Sequence, residues 1–167
     1  MINLFEKKYG DYLTVYKAPI GPHDLDPTVF VYDPNIKAPI LSPSIIAQIT
    51  KDIEAFCGEQ PSRVKNAYVV GKVTKPGNKD RHSPLRVIIV MEKNIMDNDI
   101  DGVLAEEILK LAKNLSGRLA IGTTHPIEYS VSMRDVDTSK YEGIYDVMHS
   151  RWHKIPNGVK HGKGSLS

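Results

Sequence analysis

One cysteine, Cys57, is all the chain has in 167 residues. It excludes an intramolecular disulfide and any multi-cysteine zinc site, and makes a cytoplasmic setting the default expectation. Tryptophan is equally scarce: Trp152 stands alone. Trp152 and the tyrosines read as core and edge packing rather than a base-stacking platform. No apolar run approaches the roughly 18 residues that cross a bilayer, so no membrane partner is expected. The start, Met1-Ile2-Asn3-Leu4-Phe5-Glu6-Lys7-Lys8, lacks the cationic-then-apolar layout of a secretory signal.

A dominant charge is also missing. Lysine and arginine number 22 against 20 acids, a net +2. The total conceals a local imbalance. Between Lys72 and Arg86 lie Lys72, Lys75, Lys79, Arg81 and Arg86, opposed only by Asp80. From Arg151 onward Lys154, Lys160 and Lys163 meet no acid.

What remains is an ordinary globular composition, 41% hydrophobic and 25% charged. It suits one domain, since two would each be thin on core. We expect that domain over residues 1–156, with 1–40 as an extended N-terminal segment and 157–167 as a flexible tail. The N-terminal segment is rich in proline (Pro19, Pro22, Pro27, Pro34, Pro39) and holds short β-type runs at Tyr12–Tyr16 and Thr28–Tyr32.

The first helix is predicted from Ser42-Pro43, a good cap followed by a residue suited to the first turn. Ile45, Ile49, Ile53 and Phe56 recur at helical spacing, with Ile46 alongside, and Gly58 stops the helix. Asn66 to Val70 reads as a buried strand ending at Gly71. Lys72 to Pro84 is a polar loop punctuated by Pro76-Gly77-Asn78. Leu85 to Met91 is a β-branched apolar run and reads as a central strand. A second helix is predicted over Asp101 to Leu115, with Leu104, Ile108, Leu111 and Leu115 on one face and Gly117 after it. A short strand follows near Leu119 to Ile121. Pro126 to Met133 alternates Ile127, Tyr129 and Val131 with Glu128, Ser130 and Ser132, a half-buried strand. Tyr141 to Trp152 fits no single pattern. The order predicts a small α/β (α+β) domain, a mixed sheet packed by two or more helices.

Several of these segments resemble the polymerase-β-like nucleotidyltransferases, and within them the phage-type predicted members. Leu25-Asp26-Pro27-Thr28-Val29-Phe30 is similar to the family's opening before its first helix. Val69-Val70-Gly71-Lys72 resembles its strand ending in Gly-Ser. Ser83-Pro84-Leu85-Arg86-Val87-Ile88 resembles the Asp-x-Asp strand. His125-Pro126-Ile127-Glu128-Tyr129-Ser130 resembles the strand with the third carboxylate, and Gly143-Ile144-Tyr145 through Trp152 the tail. The likeness covers about Leu25 to Pro156. It implies a nucleotidyltransferase-like fold and, for active members, two magnesium ions held near a triphosphate by carboxylates.

The departures fall on the chemistry. Lys72 stands in place of the serine. Pro84, or Ser83 with a one-residue shift, and Arg86 stand in place of the two aspartates, and only Glu128 keeps a carboxylate. Coulomb's law gives about 8 kcal/mol of repulsion between a guanidinium and a dication about 4 Å apart at an effective dielectric near 20. No metal and no cofactor are therefore expected. The resemblance implies a non-catalytic member, possible partners being a nucleotide or nucleic acid. Its candidate phosphate-binding residues are Gly71, Lys72, Lys75, Lys79, Arg81, Ser83 and Arg86. Glu128 is expected to be a relic carboxylate that pairs with Arg86 on the neighbouring strand.

Two other readings stay open. Asp80, Glu92 and Glu128 could rebuild a magnesium site in a divergent enzyme. Alternatively the fold could be a scaffold, in a virion or against a host factor in the host cytoplasm. The basic loop has a plain reading too, as a solvated loop. His149 and His153 have the spacing of helical metal ligands but no evident third ligand. His82 and His125 flank motif positions without a recognisable partner. Cys57 reads as a helix-face packing residue.

Overall fold

A computed structural model of the chain describes residues 24–159. The predicted run at Tyr12–Tyr16, most of the N-terminal segment, and the lysines of the tail, Lys160 and Lys163, lie outside those residues. The described chain is a mixed α+β structure with a five-stranded and a two-stranded sheet.

Asp26 opens it with a local turn. Its carboxylate accepts from the Thr28 backbone N–H at 2.9 Å and from Thr28 Oγ1 at 2.6 Å, the turn that Asp-x-Thr favours. Strand β1, Phe30–Asp33, and strand β2, Ala38–Leu41, then form an antiparallel hairpin. Leu25, Val29, Phe30 and Leu41 are fully buried, so this stretch belongs to the core rather than lying over it. Helix α1, Pro43–Cys57, begins and stops where the sequence predicts, and Gly58 takes a φ of 59° after it. Ser42 occupies the cap position without a side-chain cap bond. Proline's fixed φ carries the start instead.

Strand β3, Val64–Val70, and strand β4, Leu85–Met91, run antiparallel. After β4 comes a short helix, α2 (Lys93–Asp97), which five residues of mixed polarity did not announce. Helix α3, Val103–Leu115, starts two residues later than predicted. Gly102, at a φ of 70°, ends the preceding turn, and Asp99 accepts from the Leu104 and Ala105 N–H groups at 3.0 and 2.8 Å. These are the orphan donors of a helix start. Strand β5, Ile127–Ser132, lies parallel to β4. The strand predicted at Leu119 to Ile121 is absent. Leu119 makes one isolated bridge to Pro126, and Ala120 to Thr123 close a tight turn instead. The ambiguous segment resolves into strand β6, Ile144–Asp146, and strand β7, Arg151–Lys154. The sheet order is β5-β4-β3-β6-β7.

Alternation divides the sheet into two faces. Leu85, Val87, Ile89 and Met91 of β4 join Ala67, Val69, Ile127 and Tyr129 in the main core beneath α1 and α3. The opposite face carries a second, smaller apolar cluster, Tyr68, Val70, Ile88, Val90 and Ile144, against which Val136 and Tyr141 pack. Arg86 and Glu128 belong to that opposite face by the same alternation, and both are exposed. Among the described residues no helix is long and apolar enough to cross a membrane.

Candidate functional site

Three segments end together at one rim of the sheet. The last residue of β3, Val70, is the register partner of Arg86, and Arg86 is the register partner of Glu128. Gly71, next after β3, has a φ of 91°, a value that L side chains rarely adopt. A Cβ there would lie 3.3 Å from Cδ of Arg86. The glycine thus lets the arginine stem run across the strand end. The guanidinium reaches Tyr141, its Cζ 6.0 Å from the ring centroid, at the limit of a cation–π contact.

The expected Arg86–Glu128 ion pair does not form. The two backbones are in register, yet no ion pair joins the side chains among the described residues. Arg86 turns toward Gly71 and Tyr141 instead. Both charges stay in solvent, where an exposed pair would contribute only about 0–1 kcal/mol.

The basic loop is more constrained than a solvated loop. Lys72–Thr74 form a single 3-10 turn. Thr74 Oγ1 lies 2.7 Å from the Gly71 carbonyl and 3.1 Å from that of Gly143, so one proton is shared between them. Farther on, Arg81 pairs with Asp26 at 2.8 Å. Ser83 is buried and donates to the Asp80 carbonyl at 3.0 Å. Arg81 and Ser83 therefore take part in the loop's own structure, although the Arg81 side chain stays 44% exposed. Lys72 comes within 4.0 Å of Asp80, with both side chains largely in solvent. Lys72, Lys75, Lys79, Arg81 and Arg86 are all exposed.

The Arg81–Asp26 pair belongs to a buried network. His125 is 1% exposed. Its Nδ1 lies 2.7 Å from the Ser83 carbonyl and its Nε2 2.7 Å from Oδ2 of Asp26. Both partners are acceptors, so each ring nitrogen has to donate, which only the imidazolium can do. Burial works against the cation. The Asp26 carboxylate, the Ser83 carbonyl and the Asp26 charge outweigh it, and the pKa of His125 rises above its ordinary 6.5. For Asp26 burial acts upward, but hydrogen bonds from His125 and Thr28 and the Arg81 charge bring its pKa well below the usual carboxylate range. Asp, His and Ser meet here, yet they are no hydrolytic triad. The ring faces the serine's carbonyl, and Oγ of Ser83 is turned to Asp80. The network pins three separate segments: the turn at Asp26, the basic loop, and the approach to β5.

A magnesium site does not fit these residues. Arg86 stands directly across from Glu128. Glu92 lies beyond the other end of β4, six residues from Arg86, or about 20 Å at strand spacing. Asp80, Glu92 and Glu128 thus cannot share one ion. Among the described residues no group of three histidine, cysteine, aspartate or glutamate side chains could hold a metal.

Other candidates resolve simply. His149 stands in the turn before β7 and His153 on β7, so the helical spacing does not apply. His149 Nδ1 lies 2.8 Å from Oδ2 of Asp146, and His153 packs on the Tyr68 ring, centroids 5.3 Å apart. His82 is exposed. Cys57 is half-buried with Sγ 3.5 Å from the Pro61 carbonyl. Sequence reasoning missed the Asp26–His125 network and a cavity of about 330 Å³ on the sheet's second face. Asp26-Pro27-Thr28 carried a turn signal, but a partner 99 residues away leaves no local pattern.

Comparison of the chain with protein-family models, with curated proteins and with solved structures finds no match.

Proposed function

We propose that this is a non-catalytic nucleotidyltransferase-like protein that binds the phosphates of a nucleotide or nucleic acid at the rim formed by Gly71, Arg86 and the lysines of the basic loop. The observation that carries the reading is the convergence of Gly71, Arg86 and Glu128 through strand register. These are the three places where the resemblance puts the phosphate turn, the metal-binding strand and the third carboxylate. The chain order supports it: a helix, a strand, an antiparallel strand, helices, then a strand parallel to the second.

The chemistry follows from the exchange of ligands. A divalent ion would neutralise phosphate oxygens and would also activate the acceptor hydroxyl. A guanidinium can neutralise and orient the same oxygens through its fork of donors. It cannot generate a nucleophile. The rim supports anion binding and lacks the means for transfer.

The test is a titration of inorganic pyrophosphate followed by amide NMR, without divalent ions. The amide signals of Gly71, Lys72 and Arg86 should shift, and Arg86→Ala should remove the shifts while the remaining spectrum is preserved. Magnesium-dependent transfer of a nucleoside monophosphate to any acceptor would overturn the proposal.

A further inference from the structure

The second face of the sheet holds a cavity of about 330 Å³. It begins where the rim ends. Ile88, which lines it, is two residues beyond Arg86 on β4, and Tyr141, which also lines it, is the ring that the Arg86 guanidinium faces at 6.0 Å. Two residues along a strand are about 7 Å, a distance that a sugar can bridge.

The walls are fixed rather than loose. The segment after β5 crosses this face and places Val136 and Tyr141 on the second apolar cluster. The Tyr68 hydroxyl donates to Oδ1 of Asp135 at 3.1 Å, and burial together with this bond keeps that hydroxyl protonated. From β7, Lys154 Nζ donates to the Thr138 and Tyr141 carbonyls, both at 2.8 Å. The cavity is the space left between this anchored segment and the open side of β5. At about 330 Å³ it falls at the lower end of the roughly 300–1,000 Å³ range of small-molecule sites. That admits a nucleoside.

Its polar rim is charged and open to solvent: Arg134, Asp135, Asp137 and Lys140 are all exposed. Asp135 and Asp137 line it, and each uses only Oδ1 in hydrogen bonds within the described chain. Arg134 and Lys140 line it too, and neither forms an ion pair among the described residues. Carboxylates accept only, and ammonium and guanidinium groups donate only. A flat apolar ligand that suits both needs adjacent donors on one edge and acceptors beside them. Among the bases, guanine alone offers N1–H next to an amino group, with O6 and N7 as acceptors. Adenine presents one amino donor. Uracil flanks its single N–H with two carbonyls, which carboxylates repel.

We propose that this cavity is a subsite for a guanine base, whose nucleotide phosphates reach Arg86. The inference rests on the phosphate-binding reading of the rim. It commits that reading to a guanine mononucleotide, with the base between Ile88 and Tyr141 and its edge against Asp135 and Asp137.

The test compares guanosine diphosphate, adenosine diphosphate, uridine diphosphate, pyrophosphate and guanosine by calorimetry, without divalent ions. Guanosine diphosphate should bind about tenfold or more tighter than the other diphosphates and pyrophosphate. This comparison needs no variant. In the double variant Asp135→Asn with Asp137→Asn, which keeps an acceptor for the Tyr68 hydroxyl, the preference should fall below about threefold while pyrophosphate binding is unchanged. Equal binding of all diphosphates and pyrophosphate would overturn the base subsite and leave the rim proposal standing. Binding of guanosine without any binding of pyrophosphate would uphold the subsite and overturn the rim. No binding by any ligand overturns both.

Discussion

Replacing His125 by alanine is the perturbation whose cost the geometry defines best. The ring is 1% exposed and donates to two acceptors, the Ser83 carbonyl and the Asp26 carboxylate. Removing it leaves the carbonyl without its donor, at about 1–3 kcal/mol, and takes from Asp26 a charged hydrogen bond of about 1.5–3 kcal/mol. Thr28 and Arg81 still serve Asp26, so the loss should stop short of a bare buried charge. We predict about 3–5 kcal/mol, in line with breaking a buried ion pair from one side. The pH dependence separates this cause from lost packing. The pKa of His125 in the folded state is raised above 6.5, so its contribution is complete below that value and disappears as pH rises through the folded value. The pKa of Asp26 is lowered from 3.8, so its contribution is complete above that value and disappears as pH falls through the lower folded value. Urea unfolding of the wild type should therefore show a stability contribution that falls as pH rises above 6.5, and this contribution should be absent from His125→Ala. A variant that loses less than about 1 kcal/mol, or that keeps this contribution above pH 6.5, would refute the imidazolium assignment.

Three further outcomes follow from particular contacts. Gly143→Ala would place a Cβ 2.9 Å from that of Thr74 and 3.1 Å from its carbonyl; overpacking of about 1–3 kcal/mol is expected, read by thermal unfolding and by faster amide exchange across residues 71–75. Gly71→Ala combines a φ of 91° with a close approach to Arg86; it should cost about 1–3 kcal/mol and weaken pyrophosphate binding, whereas unchanged binding would separate the glycine from the site. Tyr129→Phe removes a hydroxyl that donates to the buried Asp52, which Arg118 also contacts; a loss of about 1–3 kcal/mol in urea unfolding is expected.

Much of the frame was legible because it is built from local periodicity. Ile45, Ile49, Ile53 and Phe56 mark one face of α1, and the alternation from Ile127 to Val131 marks β5. Strands β6 and β7 were not legible. They are three and four residues long and gain their order from Tyr145 and Trp152 packing with Phe30, more than a hundred residues earlier. Leu119 and Ile121 suggested a strand, yet both are exposed: pairing stops at one bridge from Leu119 to Pro126, and Ile121 already falls in the turn that follows.

The site divides in the same way. Gly71, Arg86 and Glu128 were read as neighbours, and strand register brings them together. Their side chains were not legible: Arg86 turns to Tyr141, and Glu128 forms no ion pair among the described residues. Arg81 and Ser83 looked like loop residues facing a ligand because Asp26, which binds Arg81, lies 55 positions upstream. A count of charges cannot distinguish a cation that meets solvent from one that neutralises a buried carboxylate. Lys75 and Lys79 are exposed, as a loop reading expects.

The proposed exchange of metal ligands for an arginine is tested most directly by calorimetric titration of the four nucleoside triphosphates, with magnesium and with a chelator, on the wild type and on Arg86→Ala. The account predicts binding that persists in the chelator and is lost in the variant. Binding that requires magnesium and survives Arg86→Ala would contradict it.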